Sequence, residues 1–285
     1  RGVPAARLAE VAEHDHHFGG RSPINDQNRD VIAALRADVD ARGIHLPVYW
    51  GNRNSEPFLA DTLATMRDDG VTRAAVFVTS AYSSYSGCRQ YRENLADAVA
   101  EVDRAPRLDK LRHYFDHPGF VRANADALAD AWTRLPADKR DGAVVAFVTH
   151  SIPTSMEDTA GPDGGAYTAQ HRAAADAIVG DLRTRGIDVG EADLVFCSRS
   201  GPPHVPWLEP DVNDYLTEQR DAGTPAVVLA PIGFVSDHME VVFDLDTEAA
   251  ETAAELGLTL ERAGTAGTHP AFVSAVADLL LERAA

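Results

Sequence analysis

The stretch that decides the fold is "AVVLAPIGFVSDHMEV", Ala226 to Val241. A short apolar run with adjacent β-branched residues opens it, Pro231 and Gly233 break it, and a polar segment leads into a helical pattern. An apolar run bounded by turn residues reads as a buried strand. Four other runs read alike: "HLPVYWG" (45–51), "AAVFVTSA" (74–81), "VVAFVTHS" (144–151) and "LVFCSRS" (194–200). Helical patterns separate most of them, for example "PFLADTLATMRDDG", closed by Gly70, and "QYRENLADAVAEV". Strands alternating with helices predict an α/β fold with parallel sheets covered on both faces. The gap from Ala81 to Val144 is too long for one crossover. It predicts several helices and a passage between two halves, with a boundary near 115–122, where "YFDHPGF" supplies Pro and Gly.

Composition narrows the function classes. With 285 residues, 45% of them hydrophobic and 25% charged, the chain suits one large or two smaller globular units. Its longest apolar runs fall far short of the ~20 residues that cross a bilayer. No secretory leader pattern opens it, and a cytoplasmic protein is the expectation. A formal charge of -18 argues against nucleic acid and is compatible with attracting cations. Two cysteines, Cys88 and Cys197, stand in no CxxC pattern, so neither a disulfide framework nor a zinc ribbon is expected. The chain begins at Arg1 in a pattern that reads as a helix already under way, and a missing N-terminal piece is expected.

Each apolar run ends in polar or glycine-rich sequence: "GNRNSEP", "TSAYSSYSG", "THSIP", "SRSGPP" and "PIGFVSDHMEV". Ligands of open parallel sheets bind beyond the carboxyl ends of the strands. His150, Ser198, Arg199, Arg53, Tyr82, Ser84 and the acidic stretch after Ala230 are therefore expected to converge. At the end of a hydrophobic strand His150 is partly desolvated and is either a base or a histidine bonded into the strand end. Glu240, Asp244 and Glu248, four residues apart, share one helix stripe. Such a stripe is a solvated face or a place for a cation. "HDHHFGG" (14–20) has irregular spacing and reads as surface. No P-loop, GxGxxG or GxSxG element is present.

Taken together, "FGGRSPIN", "AFVTHSIP", "SRSGPPHVPWLEPDV" and "APIGFVSDHMEVVFDLDTEA" resemble the ferrochelatase family in their order, over nearly the whole chain. "NRNSEPFLADTLATMRDDG" and "TSAYSSYSGCRQY" resemble its actinobacterial branch, which acts on coproporphyrin III. The resemblance implies two Rossmann-like domains with a porphyrin cleft between them: 1–118, 119–262, and a C-terminal helix over 263–285 packing back on the body. It implies that His150 and Glu240 face each other as the catalytic pair and that Asp244 and Glu248 carry metal or protons, the four together forming the metal set. It further implies that Ser22, Arg53, Tyr82 and Trp207 line the porphyrin pocket, and that His238 is structural. Ferrous iron is then a substrate and coproporphyrin III the partner, with no nucleic acid partner and a monomer expected. Protoporphyrin IX, another tetrapyrrole chelatase, or a metal- or haem-binding carrier are the alternatives. Some members of this branch hold a [2Fe-2S] cluster. Cys88 matches their internal ligand, while the tail cysteines are absent from this sequence, so either the tail is missing or this member lacks the cluster; Cys197 reads as a core residue.

Overall fold

The computed structural model describes residues 22–202 and 204–284. The "HDHHFGG" tract, the helix expected before it and the first residues of "FGGRSPIN" lie outside the described residues. The first half runs α1 (Ile24–Ala41), α2 (Leu59–Asp68), β1 (Arg73–Val76), a π-helical turn (Tyr85–Arg89) entering α3 (Gln90–Glu101), and β2 (Arg107–Lys110). β1 and β2 pair in parallel. Leu63 and Met66 of α2 pack with Ala98 and Val102 at the end of α3, the three- and four-residue spacing that a one-sided helix requires. Gly70 ends α2 at φ +79, a conformation that costs glycine little.

The second half holds α4 (Pro118–Arg134), β3 (Val144–His150), α5 (Thr154–Glu157), α6 (Ala166–Thr184), β4 (Ala192–Cys197), α7 (Val212–Asp221) and β5 (Ala226–Ala230). After it come α8 (Met239–Phe243), a π-helical segment (Asp244–Ala249), α9 (Ala250–Leu256), β6 (Thr259–Arg262) and α10 (Pro270–Ala284). The four strands form one parallel sheet in the order β4-β3-β5-β6. β3 and β5 lie inside it and are buried on both faces, which is why they read as unbroken apolar runs. Val145 and Phe147 join the core with α4 and α6, while Val144, Ala146 and Val148 join the core with α7, α8 and α9. This alternation is the pleat of a strand.

Both halves are parallel sheets flanked by helices, in keeping with two Rossmann-like domains. α10 packs on α4 and on α1, joined to α1 by Arg42–Asp278 (2.6 Å) and by Ser274 Oγ donating to Asp38 (2.9 Å). Its crossing with α4 is close: a Cβ on Gly119 would fall 2.2 Å from the Ala271 carbonyl oxygen.

Two expectations need correction, and two strands carry no apolar signal. Residues 45–51 form no strand; Leu46 is 55% exposed, and among the described residues the run has no partner strand to satisfy its backbone. The run at 74–81 is a strand only as far as Val76. β2 ("RLDK") and β6 ("TLER") are strands without an apolar run, since each is a short piece at the edge of its sheet with a partly exposed face. Among the described residues no helix is long and apolar enough to cross a membrane.

Candidate active site

His150 is the last residue of β3, and its place is set from behind. The Tyr167 hydroxyl on α6 donates to the His150 carbonyl (2.9 Å). Its single proton is thereby used, so the Thr149 hydroxyl must donate to Tyr167 (2.8 Å). Burial pushes the Tyr167 phenol well above its usual range, so it stays a donor. Thr149 is also wedged against the loop after β5, where a Cβ on Gly233 would lie 2.2 Å from Thr149 Oγ1. At the front, His150 Nδ1 contacts the Ser151 carbonyl. A carbonyl only accepts, so Nδ1 carries the proton of the neutral ring and Nε2 presents a lone pair. Nε2 faces Glu240 Oε2 at 3.9 Å, beyond hydrogen-bond length.

The acids come from the segment after β5. His238 caps α8, its Nδ1 accepting from the Glu240 N–H (3.2 Å), and the same nitrogen lies 3.9 Å from Glu240 Oε2. Burial lowers the pKa of His238. Glu240 thus stands between two imidazoles, half exposed. One turn on, the helix widens into the π-helical segment at Asp244. Burial first, then Glu240 and Glu248, raise the Asp244 carboxyl to about 6 against the pull of a hydrogen bond from Ser198. Ser198 donates from a left-handed backbone conformation (φ 60) at the end of β4. Glu248 is exposed. The expected metal set therefore forms a row and not a cage. Among the described residues no group of three or more His, Cys, Asp or Glu could hold a metal ion.

The residues expected to line a porphyrin pocket divide. Ser22 opens α1 and accepts from the Ile24 N–H (3.4 Å). Gln27, a turn further along, accepts from the Asp237 N–H just before α8 (2.8 Å). Trp207 bridges Pro153, three residues past His150. Its indole lies over Gly201, and its Nε1 is buried with no hydrogen-bond partner. Tyr82 is buried in the core, its ring stacked on His171 at 3.5 Å and its hydroxyl donating to the Ile232 carbonyl (3.0 Å). In this state it braces the loop after β5 and does not line open space. The Arg53 guanidinium lies 4.7 Å from the Tyr91 ring centre, with Nε buried and unpartnered. Cys88 lies half-buried in the first π-helical turn, which the Ser84 side chain caps at Gly87 N (2.8 Å), and Cys197 is buried. Arg199 bonds within its own loop, to the Val205 carbonyl (3.4 Å).

Sequence reading missed Tyr167, His171 and Arg262. Tyr167 and His171 sit on a helix with an ordinary small-residue pattern, and no local signal aims them at β3. Burial drives the His171 ring down to about 3, keeping it neutral. A hollow of about 580 Å³ beside Asp176, Arg183, Glu191 and Asp193 lies at the amino end of β4, the opposite end of the sheet from His150. The chemistry gathers at the carboxyl end: a lone pair on His150 Nε2, a carboxylate facing it, and further acids along the same segment. Such an arrangement can accept protons and attract a cation.

Similarity to known proteins converges on the same chemistry. The sequence profile of the ferrochelatase family matches residues 1–284. The chain is 57% identical to the protein named coproporphyrin III ferrochelatase of Streptomyces coelicolor, over 100% of this chain and 78% of that protein. It is 52% identical to the protein of the same name from Nocardia farcinica, over 99% of this chain and 80% of that protein. Among solved structures, SirB from Bacillus subtilis with Fe3+ superposes with a TM-score of 0.58 at 16% identity, covering 90% of this chain and 89% of that one. That last likeness concerns the fold. With the profile spanning the chain and relatives this close, the chain belongs to the ferrochelatase family.

Proposed function

We propose that this chain inserts ferrous iron into coproporphyrin III, releasing the two pyrrole protons. The reading is supported by His150 Nε2 and Glu240 Oε2 facing each other 3.9 Å apart at the sheet's carboxyl end, in a chain 57% identical to a coproporphyrin III ferrochelatase. Insertion exchanges two N–H protons for a dication. The ring centre therefore needs a proton acceptor and negative charge at hand. In our reading His150 Nε2 takes a pyrrole proton, since Nδ1 is committed to Ser151. Glu240 then holds negative charge opposite, and Asp244 and Glu248 extend it outward as the route for the ion or for departing protons. Asp244, with its carboxyl near 6, exchanges a proton readily close to neutral pH. Trp207 and Ser22 are read as walls of the porphyrin site, with Arg53 contacting a more distant edge of the ring and Tyr82 holding the floor.

The cysteines of this sequence do not by themselves complete a [2Fe-2S] centre. Such a cluster takes four ligands, mostly thiolates. This sequence has two cysteines, and Cys197 is 1% exposed in the sheet core. Cys88, half-buried, would be the ligand this sequence contributes to such a cluster.

Metallation of coproporphyrin III and protoporphyrin IX, followed separately by absorbance under anaerobic Fe2+, tests the reading. Many turnovers per protein with coproporphyrin III are expected. Stoichiometric uptake without turnover would instead make the chain a carrier, and preference for protoporphyrin IX would move the substrate. His150→Ala is expected to abolish insertion, a loss of at least ~100-fold for a removed proton acceptor, while porphyrin binding survives.

A further inference from the structure

We propose that Arg262 is a positioning residue for metal delivery, a single rigid cation that holds both ends of the acid-bearing segment at fixed places on the sheet. The proposal rests on the reading of that segment as the route of ferrous iron.

Arg262 is the last residue of β6, paired in register with Leu229 of β5. Its guanidinium makes three charged hydrogen bonds to two carboxylates. Nε donates to Asp246 Oδ1 (2.6 Å) and Nη2 to Asp246 Oδ2 (2.7 Å), a two-pronged pair. Nη1 donates to Asp237 Oδ1 (3.0 Å). Asp237 lies three residues before Glu240, and Asp246 lies between Asp244 and Glu248. The chain leaves the sheet at the end of β5, runs through Asp237, Glu240, Asp244 and Asp246, and is bonded back to the neighbouring strand end by one planar group. Gln27 of α1 takes the Asp237 N–H as well, so the front of the segment is fastened from two sides.

Two physical features give this clamp a role beyond packing. The segment stacks acids at four-residue spacing, and like charges so placed repel. Its hydrogen bonding changes to the wider π pattern at Asp244. A helix with both properties needs an outside fastening to keep its carboxylates in register. Arg262 also neutralises the two acids that lie off the row, Asp237 and Asp246, and leaves Glu240, Asp244 and Glu248 as the negative path. Burial works against the guanidinium's charge, yet the two carboxylates raise its pKa, so the cation is permanent. Lysine cannot substitute, because one ammonium cannot span three oxygens in a fixed plane.

Arg262→Lys in the full chain tests this with three measurements: hydrogen exchange along the backbone, coproporphyrin III affinity by fluorescence, and initial rates against Fe2+ concentration. The expected result is faster exchange confined to residues 237–249, unchanged porphyrin affinity, and kcat/KM for iron lower by about ten- to a hundredfold, the scale of an ångström's misplacement. Asp246→Asn should give the same pattern, and adding it to Arg262→Gln should cost little more than either alone. Normal iron kinetics in Arg262→Lys would overturn the proposal. So would protection lost throughout β3 and β5, which would make Arg262 a general support of the fold. If the parent protein does not metallate coproporphyrin III, the functional reading fails; the exchange pattern then decides the clamp by itself.

Discussion

The two sides of the site are built by different physics. His150 sits at the end of a strand buried on both faces, and the groups that fix it are packed: Thr149 against Gly233, and Tyr167 against the strand end. Glu240 sits on a five-residue helix that passes into a π-helical segment, half exposed, and it is placed by polar fastenings. Those are the His238 cap, the Ser198 bond to Asp244 and the Arg262 clamp. Burial fixes His150, while hydrogen bonds and one ion-paired arginine place the acid-bearing segment. The first kind of placement is insensitive to salt; the second is open to screening where it is exposed.

The packed side breaks first under a change of volume. Gly233→Ala would drive a methyl group into Thr149 Oγ1, with backbone close by. A loss of about 3 kcal/mol is expected, at the upper end for overpacking, read as a drop in the urea midpoint. Residual activity should fall as well, because Thr149 carries His150. A variant as stable as the parent would mean that the loop after β5 yields, and that the two sides do not differ in stiffness.

On the polar side Glu240→Gln removes the charge and keeps the shape. Iron insertion is expected to fall about 100-fold with little change in melting temperature. Since Glu240 helps to raise the Asp244 carboxyl, carbon NMR of Asp244 should show its titration moving down from about 6 in this variant. A midpoint that stays put would separate Glu240 from the row.

Asp244→Asn gives the smallest effect and the clearest sign. The folded carboxyl titrates near 6 against 3.8 as the ordinary value, so the folded state binds the proton more tightly than the unfolded one. Asp244 therefore destabilises the protein fully above about pH 6, and this cost fades as pH falls towards 4. The Asn variant should be more stable than the parent by about 1–2 kcal/mol at pH 7.5, with the gain gone near pH 4. Its iron saturation should weaken at the same time. A gain independent of pH would assign the effect to packing.

The difference in construction also explains what sequence could reveal. A strand with a long buried stretch announces itself as an apolar run, so β3, β5 and the buried end of β4 were legible, and with them the strand end that carries His150. The resemblance to the ferrochelatase motifs then singled out Glu240. The run at 45–51 has the same appearance without a partner strand among the described residues, and composition cannot report pairing. β2 and β6 are short edge pieces carrying charges, and they resemble loops. Four-residue spacing at Glu240, Asp244 and Glu248 does not reveal that the turn between them is π-helical. Arg262 is out of reach of any local pattern, because its partners lie 16 and 25 residues away in the chain and meet it only after β5 and β6 pair. Tyr82 follows a strand run and is expected to line the pocket, yet the ring of His171 covers it.

The contact between α1 and α10 has a consequence in time. Ser274 and Asp38 are 236 residues apart, as are Asp278 and Arg42. At roughly 5–20 residues per second of synthesis, α1 waits on the order of 10–50 seconds for its partner helix to be made. Through that interval the face of α1 that α10 will cover is open, while most of the four-stranded sheet can already assemble. Helix α1 is therefore among the last of the described helices to find its place, and a growing chain stays open to mispairing there until α10 emerges.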